Sequence, residues 1–109
     1  MTFRLIDMDR WKRKEYYERY LNEVVCTYSL TANLDVTSLE GKRLYPAMLW
    51  LLTDTVNEMP EFRTSLTPEG VGVYDTMNPS YTIFNKESES FSVIWTAFDS
   101  DDSVFFEGI

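Results

Sequence analysis

Pro79-Ser80-Tyr81-Thr82-Ile83-Phe84, followed by Glu87-Ser88-Glu89-Ser90-Phe91-Ser92-Val93-Ile94-Trp95-Thr96, is the stretch on which the reading of this chain turns. Aromatic and β-branched side chains dominate both parts, and a few charged and small residues separate them. Such side chains favour extended backbone because they pack well on a pleated surface. The stretch therefore predicts two strands, near Ser80–Asn85 and Ser90–Thr96, joined by a short charged loop.

Upstream, Phe62 to Leu66 and Val71 to Tyr74 flank Pro68-Glu69-Gly70, a turn signal, and together read as a hairpin. Leu44 to Met59 reads as a helix. Pro46 suits its first turn, where a missing N–H is harmless, and Pro60 ends it. Leu44, Met48, Leu52, Val56 and Met59 trace a stripe that Ala47, Leu49, Trp50 and Leu51 widen, as in a core helix laid on a sheet. In Cys26 to Val36, apolar Cys26, Tyr28, Leu30, Ala32, Leu34 and Val36 alternate with polar neighbours. That period of two predicts a strand with one buried face, which would carry Cys26. Before it, Asp9 is expected to cap a helix over Arg10 to Asn22, with Trp11, Tyr17, Tyr20 and Leu21 on one side and a Glu15–Arg19 surface pair. Phe3, Leu5 and Ile6 suggest a short strand, whereas Ala97 to Ile109 has no clear period. The fold class expected is α/β (α+β): a two-layer sandwich whose mixed, largely antiparallel sheet is covered by two helices. A sheet of this composition keeps an apolar face exposed unless something more covers it.

Length and charge exclude several functions. With 109 residues the chain is one domain or part of one, and 16% of it is aromatic, enough large rings to fill a core, a pocket or an interface. A formal net charge of −8 argues against binding to nucleic acid or to an anionic membrane face. A single cysteine, Cys26, rules out a disulfide framework and a multi-cysteine zinc site, and fits a reducing cytoplasm. Met1 to Asp7 is too short and charged for a signal peptide, and the apolar run Ala47 to Leu52 falls far short of the roughly 20 residues of a membrane span. A soluble cytoplasmic protein is expected.

The residues themselves offer little catalytic chemistry. The chain contains no histidine, so Ser-His and Cys-His pairs and the usual base near neutral pH are absent. Four scattered glycines make no phosphate loop. Asp99, Asp101 and Asp102 lack the glycine and closing glutamate of a calcium loop, and read as solvated. No metal site is expected. Cys26 has no partner base and reads as core or pocket lining. Tyr20, Tyr28, Phe91 and Trp95 either wall an aromatic cleft or fill the core.

Several segments, in order, resemble the chloramphenicol acetyltransferase family: Trp11-Lys12-Arg13-Lys14-Glu15, Cys26-Thr27-Tyr28-Ser29-Leu30-Thr31, Leu44-Tyr45-Pro46-Ala47, Glu61-Phe62-Arg63, and the two-strand stretch quoted first. The resemblance implies cytoplasmic homotrimers that move an acetyl group from acetyl-CoA to the 3-hydroxyl of chloramphenicol, with sites at subunit interfaces. It also implies that Tyr20, Cys26, Tyr28, Phe91 and Val93 line the antibiotic pocket. Arg13 matches an arginine that supports the catalytic region by pairing with an aspartate of the catalytic motif, although the residue alone favours an ordinary surface charge. The family's histidine motif, its oxyanion-holding serine and most of its CoA tunnel lie in the second half of a chain about twice this long. None of the residues present is therefore expected to be catalytic, and loss of such a base typically forfeits about 10²–10⁴-fold in rate. The expected organisation is residues 1–98 as the N-terminal half of such a domain and residues 99–109 as a divergent acidic tail. A non-catalytic binding or assembly module, self-associating or pairing with a second-half chain, is the competing expectation.

Overall fold

The computed structural model describes residues 2–109. Its strands are β1 (Phe3–Leu5), β2 (Thr64–Thr67), β3 (Gly70–Tyr74), β4 (Ser80–Asn85) and β5 (Ser90–Trp95). Its helices are α1 (Lys14–Asn22), α2 (Leu44–Asn57) and α3 (Asp102–Glu107), with single 3₁₀ turns at Thr37–Leu39 and Pro60–Arg63. The fold is mixed α+β and the sheets are antiparallel throughout. One sheet has the order β1-β3-β2, and the other is the β4-β5 ribbon. Both hairpins form, but Phe62 and Arg63, expected to open the first strand, belong to the 3₁₀ turn, and β2 starts only at Thr64. Gly70 makes the β2–β3 turn at φ +127°, a conformation closed to residues with a Cβ. In the ribbon Ser80 faces Trp95 and Phe84 faces Phe91, and the rings of that second pair lie 5.3 Å apart.

The register sorts the ribbon side chains into two faces. Tyr81 and Ile94 point toward α2, where Tyr81 is buried, meets Tyr45 edge to face and shares a 2.7 Å hydrogen bond with the Thr96 hydroxyl. Phe84, Phe91, Val93 and Trp95 point the other way and are exposed.

Side-chain amides and one indole tie α2 to the sheet connections. Asn57 donates to the Met77 carbonyl at 3.1 Å and accepts from the Met77 N–H at 2.7 Å. Trp50 Nε1 donates to the Asp99 carbonyl at 2.9 Å while its ring stacks on Phe98. These anchors decide which side of α2 is covered. Pro46, Ala47 and Thr53 are buried, whereas Leu44, Leu52 and Met59 of the anticipated stripe are exposed. A helix apolar on most sides does not reveal its inner face by periodicity.

Three further expectations need correction. Helix α1 starts at Lys14 and not at Arg10. Asp7 captures the Asp9 N–H and the Arg10 N–H bonds the Asp7 carbonyl, so a turn precedes the helix and Asp9 caps nothing. Glu15 and Arg19 are not paired; the ion pairs among the described residues are Arg10–Asp7, Arg13–Glu61 and Lys42–Asp102. Cys26 to Val36 forms no strand, and Cys26 is exposed. Among the described residues no backbone group of residues 25–35 takes part in an intrachain hydrogen bond. Alternation fixes which side chains share a face, but a strand also needs a neighbour to complete its ladder.

The aperiodic end of the chain supplies a third helix. Phe105, 1% exposed, packs against Phe98 and Phe106 and is the largest fully buried side chain among the described residues. Asp101 caps α3, accepting from the Ser103 N–H at 3.0 Å and its hydroxyl at 2.6 Å. The Ser103 hydroxyl, and then its N–H, hold the Asp101 carboxyl below its ordinary 3.8. A depressed carboxyl stabilises the fold above its unfolded pKa and ceases to do so as pH falls through the folded value. Helix α3 is therefore expected to fray on acidification below about pH 4. Far-UV circular dichroism of Asp101→Asn checks this, because the variant should lose that part of the acid transition.

The whole is open for its size. Its surface of 9093 Å² exceeds the roughly 6,300 Å² of a compact protein of this mass. Its radius of gyration is 17.4 Å, against about 13 Å for a compact domain of this length.

Candidate functional site

A cleft of about 610 Å³ lies between α1 and the three-stranded sheet. Trp11, Tyr16, Tyr17 and Tyr20 wall one side, and Thr64 and Val73 come from the sheet. The spacing of Tyr16, Tyr17 and Tyr20 puts all three on adjoining sides of one helix. Trp11, in the turn before it, stacks obliquely on Tyr17 with centroids 5.3 Å apart. Arg13 and Glu61 also line the cleft, and Arg13 Nη2 stands 3.6 Å from Glu61 Oε1. Both side chains are more than half exposed, so the pair contributes little stability. Its role is to put one charge of each sign beside an aromatic wall. Arg63, next to Glu61 and Phe62 in the 3₁₀ turn, clamps the end of β3 by donating to the Tyr74 carbonyl at 2.7 Å.

This arrangement can hold a flat, largely apolar molecule. The rings offer stacking surface, and the phenol hydroxyls, Arg13 and Glu61 offer hydrogen bonds. With no histidine in the chain, the cleft has no imidazole to take a proton from an alcohol. The carboxyls held below their ordinary range are elsewhere: Asp35 by the Thr37 hydroxyl, Asp75 by the Thr2 N–H, and Asp101 as described. Each stabilises a turn, a helix start or a strand end.

The residues anticipated for a site are distributed over three places. Tyr20, 54% exposed, and Arg13 are in the cleft. Cys26 and Tyr28, the latter 89% exposed, lie on the unpaired segment that follows α1. Phe91 and Val93, 68% and 70% exposed, stand on the outer face of the ribbon. Tyr20, Tyr28, Phe91 and Trp95 neither fill a core nor wall a common cleft within this chain. Trp11 and Tyr17 were legible as a helical side shared with Tyr20, whereas Tyr16 was not singled out. Thr64 and Val73 arrive from distant sequence and carry no local signal.

The chain is an antiparallel α+β protein with an aromatic cleft and an open ribbon face. The comparisons make the family plain: the chloramphenicol acetyltransferase family model matches residues 1–109, and the chain belongs to that family. Chloramphenicol acetyltransferase of Clostridium perfringens is 47% identical over 113 residues, an alignment covering 97% of this chain and 52% of the relative. The enzyme of Vibrio anguillarum is likewise 47% identical, with 96% of this chain and 50% of the relative covered. A solved chloramphenicol acetyltransferase structure superposes with a TM-score of 0.84 at 24% identity, covering 98% of this chain and 53% of that one. The chain thus spans about half the length of the curated relatives it matches. Among the described residues, no helix is long and apolar enough to cross a membrane.

Proposed function

We propose that this chain supplies part of the acceptor wall of a chloramphenicol O-acetyltransferase-like site, in a cytoplasmic antibiotic-resistance protein, and does not transfer acetyl groups by itself. The observation that carries this reading is family membership in a chain with no histidine. Transfer from acetyl-CoA to the 3-hydroxyl of chloramphenicol needs a base to take the hydroxyl proton and donors to hold the oxyanion. On this reading Tyr20, Cys26, Tyr28, Phe91 and Val93 meet across one pocket only when further structure gathers the three places they now occupy. Arg13, paired with Glu61, is available to a carboxylate brought in by that structure. A homo-oligomer, a trimer by family resemblance, accounts for part of the cover.

The test is release of free CoA thiol from acetyl-CoA in the presence of chloramphenicol and the purified 109-residue chain. The expected rate equals the buffer rate. Turnover above it, abolished by substituting a residue of the cleft, overturns the proposal by showing that a group other than histidine acts as base.

An assembly role, with or without chemistry, is the second reading, and it is favoured by the roughly 2,800 Å² of surface beyond that of a compact protein this size. Obligate interfaces are of that order.

A further inference from the structure

Two parts of this chain are bare. Residues 26–36 alternate apolar and polar side chains as a strand does, yet the backbone of residues 25–35 makes no hydrogen bond to the rest of the chain among the described residues. Tyr28 and Leu30 on that segment are 89% and 84% exposed. On the β4–β5 ribbon Phe91, Val93 and Trp95 make a second open apolar face. Unbonded backbone groups and large apolar faces both call for a covering structure.

We propose that the cover is a separate chain carrying the half of a family member that this chain does not match, bound without a covalent link. The inference rests on the family reading and names the partner in the assembly role. Three observations select this occupant. The first is the fold itself. It superposes with a TM-score of 0.84 on a solved chain of which it covers 53%, so this half keeps by itself the arrangement that half has beside the rest of that structure. The second is that the arrangement is held from within. Trp50 and Asn57 fasten α2 to the sheet connections, and Phe105 is buried against Phe98 and Phe106. A half that is already shaped loses less freedom on binding than one that must fold at that moment. The third is size: the surplus surface is of the order of an obligate interface. A second copy of this chain would bring the same unpaired segment and the same bare ribbon, and so would add open faces without a complement to these. A small ligand could not satisfy the backbone of eleven successive residues, 25–35.

The experiment mixes the 109-residue chain with a chain carrying the unmatched half of the Clostridium perfringens relative, both as prepared and after joint dilution from urea. Sedimentation velocity at micromolar concentration is expected to show a complex with equal numbers of the two chains. Within it, amides of residues 26–36 should exchange with solvent at least about 10-fold more slowly than in this chain alone. Leu30 is exposed on a segment that bonds nothing, so Leu30→Asp should leave the far-UV circular dichroism of the chain alone unchanged. The same substitution should weaken the complex at least about 100-fold, because it sets an unpaired carboxylate on a face that becomes buried. No complex by either route overturns the proposal. So does a complex in which residues 26–36 exchange as fast as before, or one that Leu30→Asp leaves intact. Self-association of this chain that excludes the second chain overturns it as well. A complex that protects the segment yet releases no CoA thiol above the buffer rate from acetyl-CoA and chloramphenicol supports the proposal and counts against the acetyltransferase reading.

Discussion

Phe105→Ala is expected to remove α3 from the fold and to abolish a sharp thermal transition. Among the described residues Phe105 is the one large side chain wholly out of water, and it joins Phe98 to Phe106 in a series of rings that begins at Trp50. Emptying such a site costs about 3–5 kcal/mol, through lost transfer energy and the cavity left behind. A domain of ordinary stability has about 5–15 kcal/mol in all, and one with so few buried side chains is at the low end. Helix α3 has only six residues and cannot persist without its anchor. Thermal unfolding followed by near-UV circular dichroism reads the outcome, since Trp50 and Phe98 lose their fixed surroundings. Val104→Ala, one residue away and half exposed, should change stability by less than about 0.5 kcal/mol. Equal effects from the two substitutions would mean that α3 does not pack as described.

Gly72→Ala is expected to detach β1 while sparing the β2–β3 hairpin. A Cβ at Gly72 would lie 2.5 Å from Phe3 Cζ and 2.6 Å from the Arg4 carbonyl oxygen. The Phe3 ring has little room to swing, because it packs on Tyr74 with centroids 4.6 Å apart. The carbonyl belongs to the backbone of β1, which runs antiparallel to β3 with Leu5 opposite Gly72. Overpacking of this kind costs about 1–3 kcal/mol, and a three-residue strand has little to set against it. Hydrogen exchange reads the result residue by residue. The Ile6 N–H, bonded to the Val71 carbonyl at 2.9 Å, and the Asp75 N–H, bonded to the Thr2 carbonyl at 2.8 Å, should exchange roughly 5- to 150-fold faster. Amides between β2 and β3 should keep their protection. Uniform loss across the sheet would mean that β1 is integral to it and not an edge addition.

How much of this could be read beforehand follows the distance over which each feature is determined. The two hairpins were legible because turn residues and alternating side chains specify them within about a dozen neighbouring residues. The β4–β5 register needed only the short charged loop. Helix α2 was legible as a helix but not as to its inner face, which Trp50 and Asn57 select by bonding backbone far along the chain. Helix α3 escaped notice because a six-residue helix is too short to display a period, and its cause is a tertiary site for Phe105. The extended segment after α1 misled in the opposite sense: its pattern is that of a strand, and the neighbour that would make it one is not among these residues. Of the site, Tyr20 was legible beside Trp11 and Tyr17 on one side of a helix, while Thr64 and Val73 reach the cleft only through the folding of a distant sheet.

The bare outer face of the ribbon has a calorimetric consequence. Unfolding raises heat capacity chiefly by wetting apolar groups, and Phe84, Phe91, Val93 and Trp95 are wet already. The increment for these 109 residues should therefore fall below the roughly 1.3–1.6 kcal/mol/K ordinary for that length. A small increment flattens the dependence of stability on temperature, so the chain alone resists cold. Whatever covers that face also sharpens the curve, and the heat-capacity increment becomes a gauge of how completely the chain is clothed.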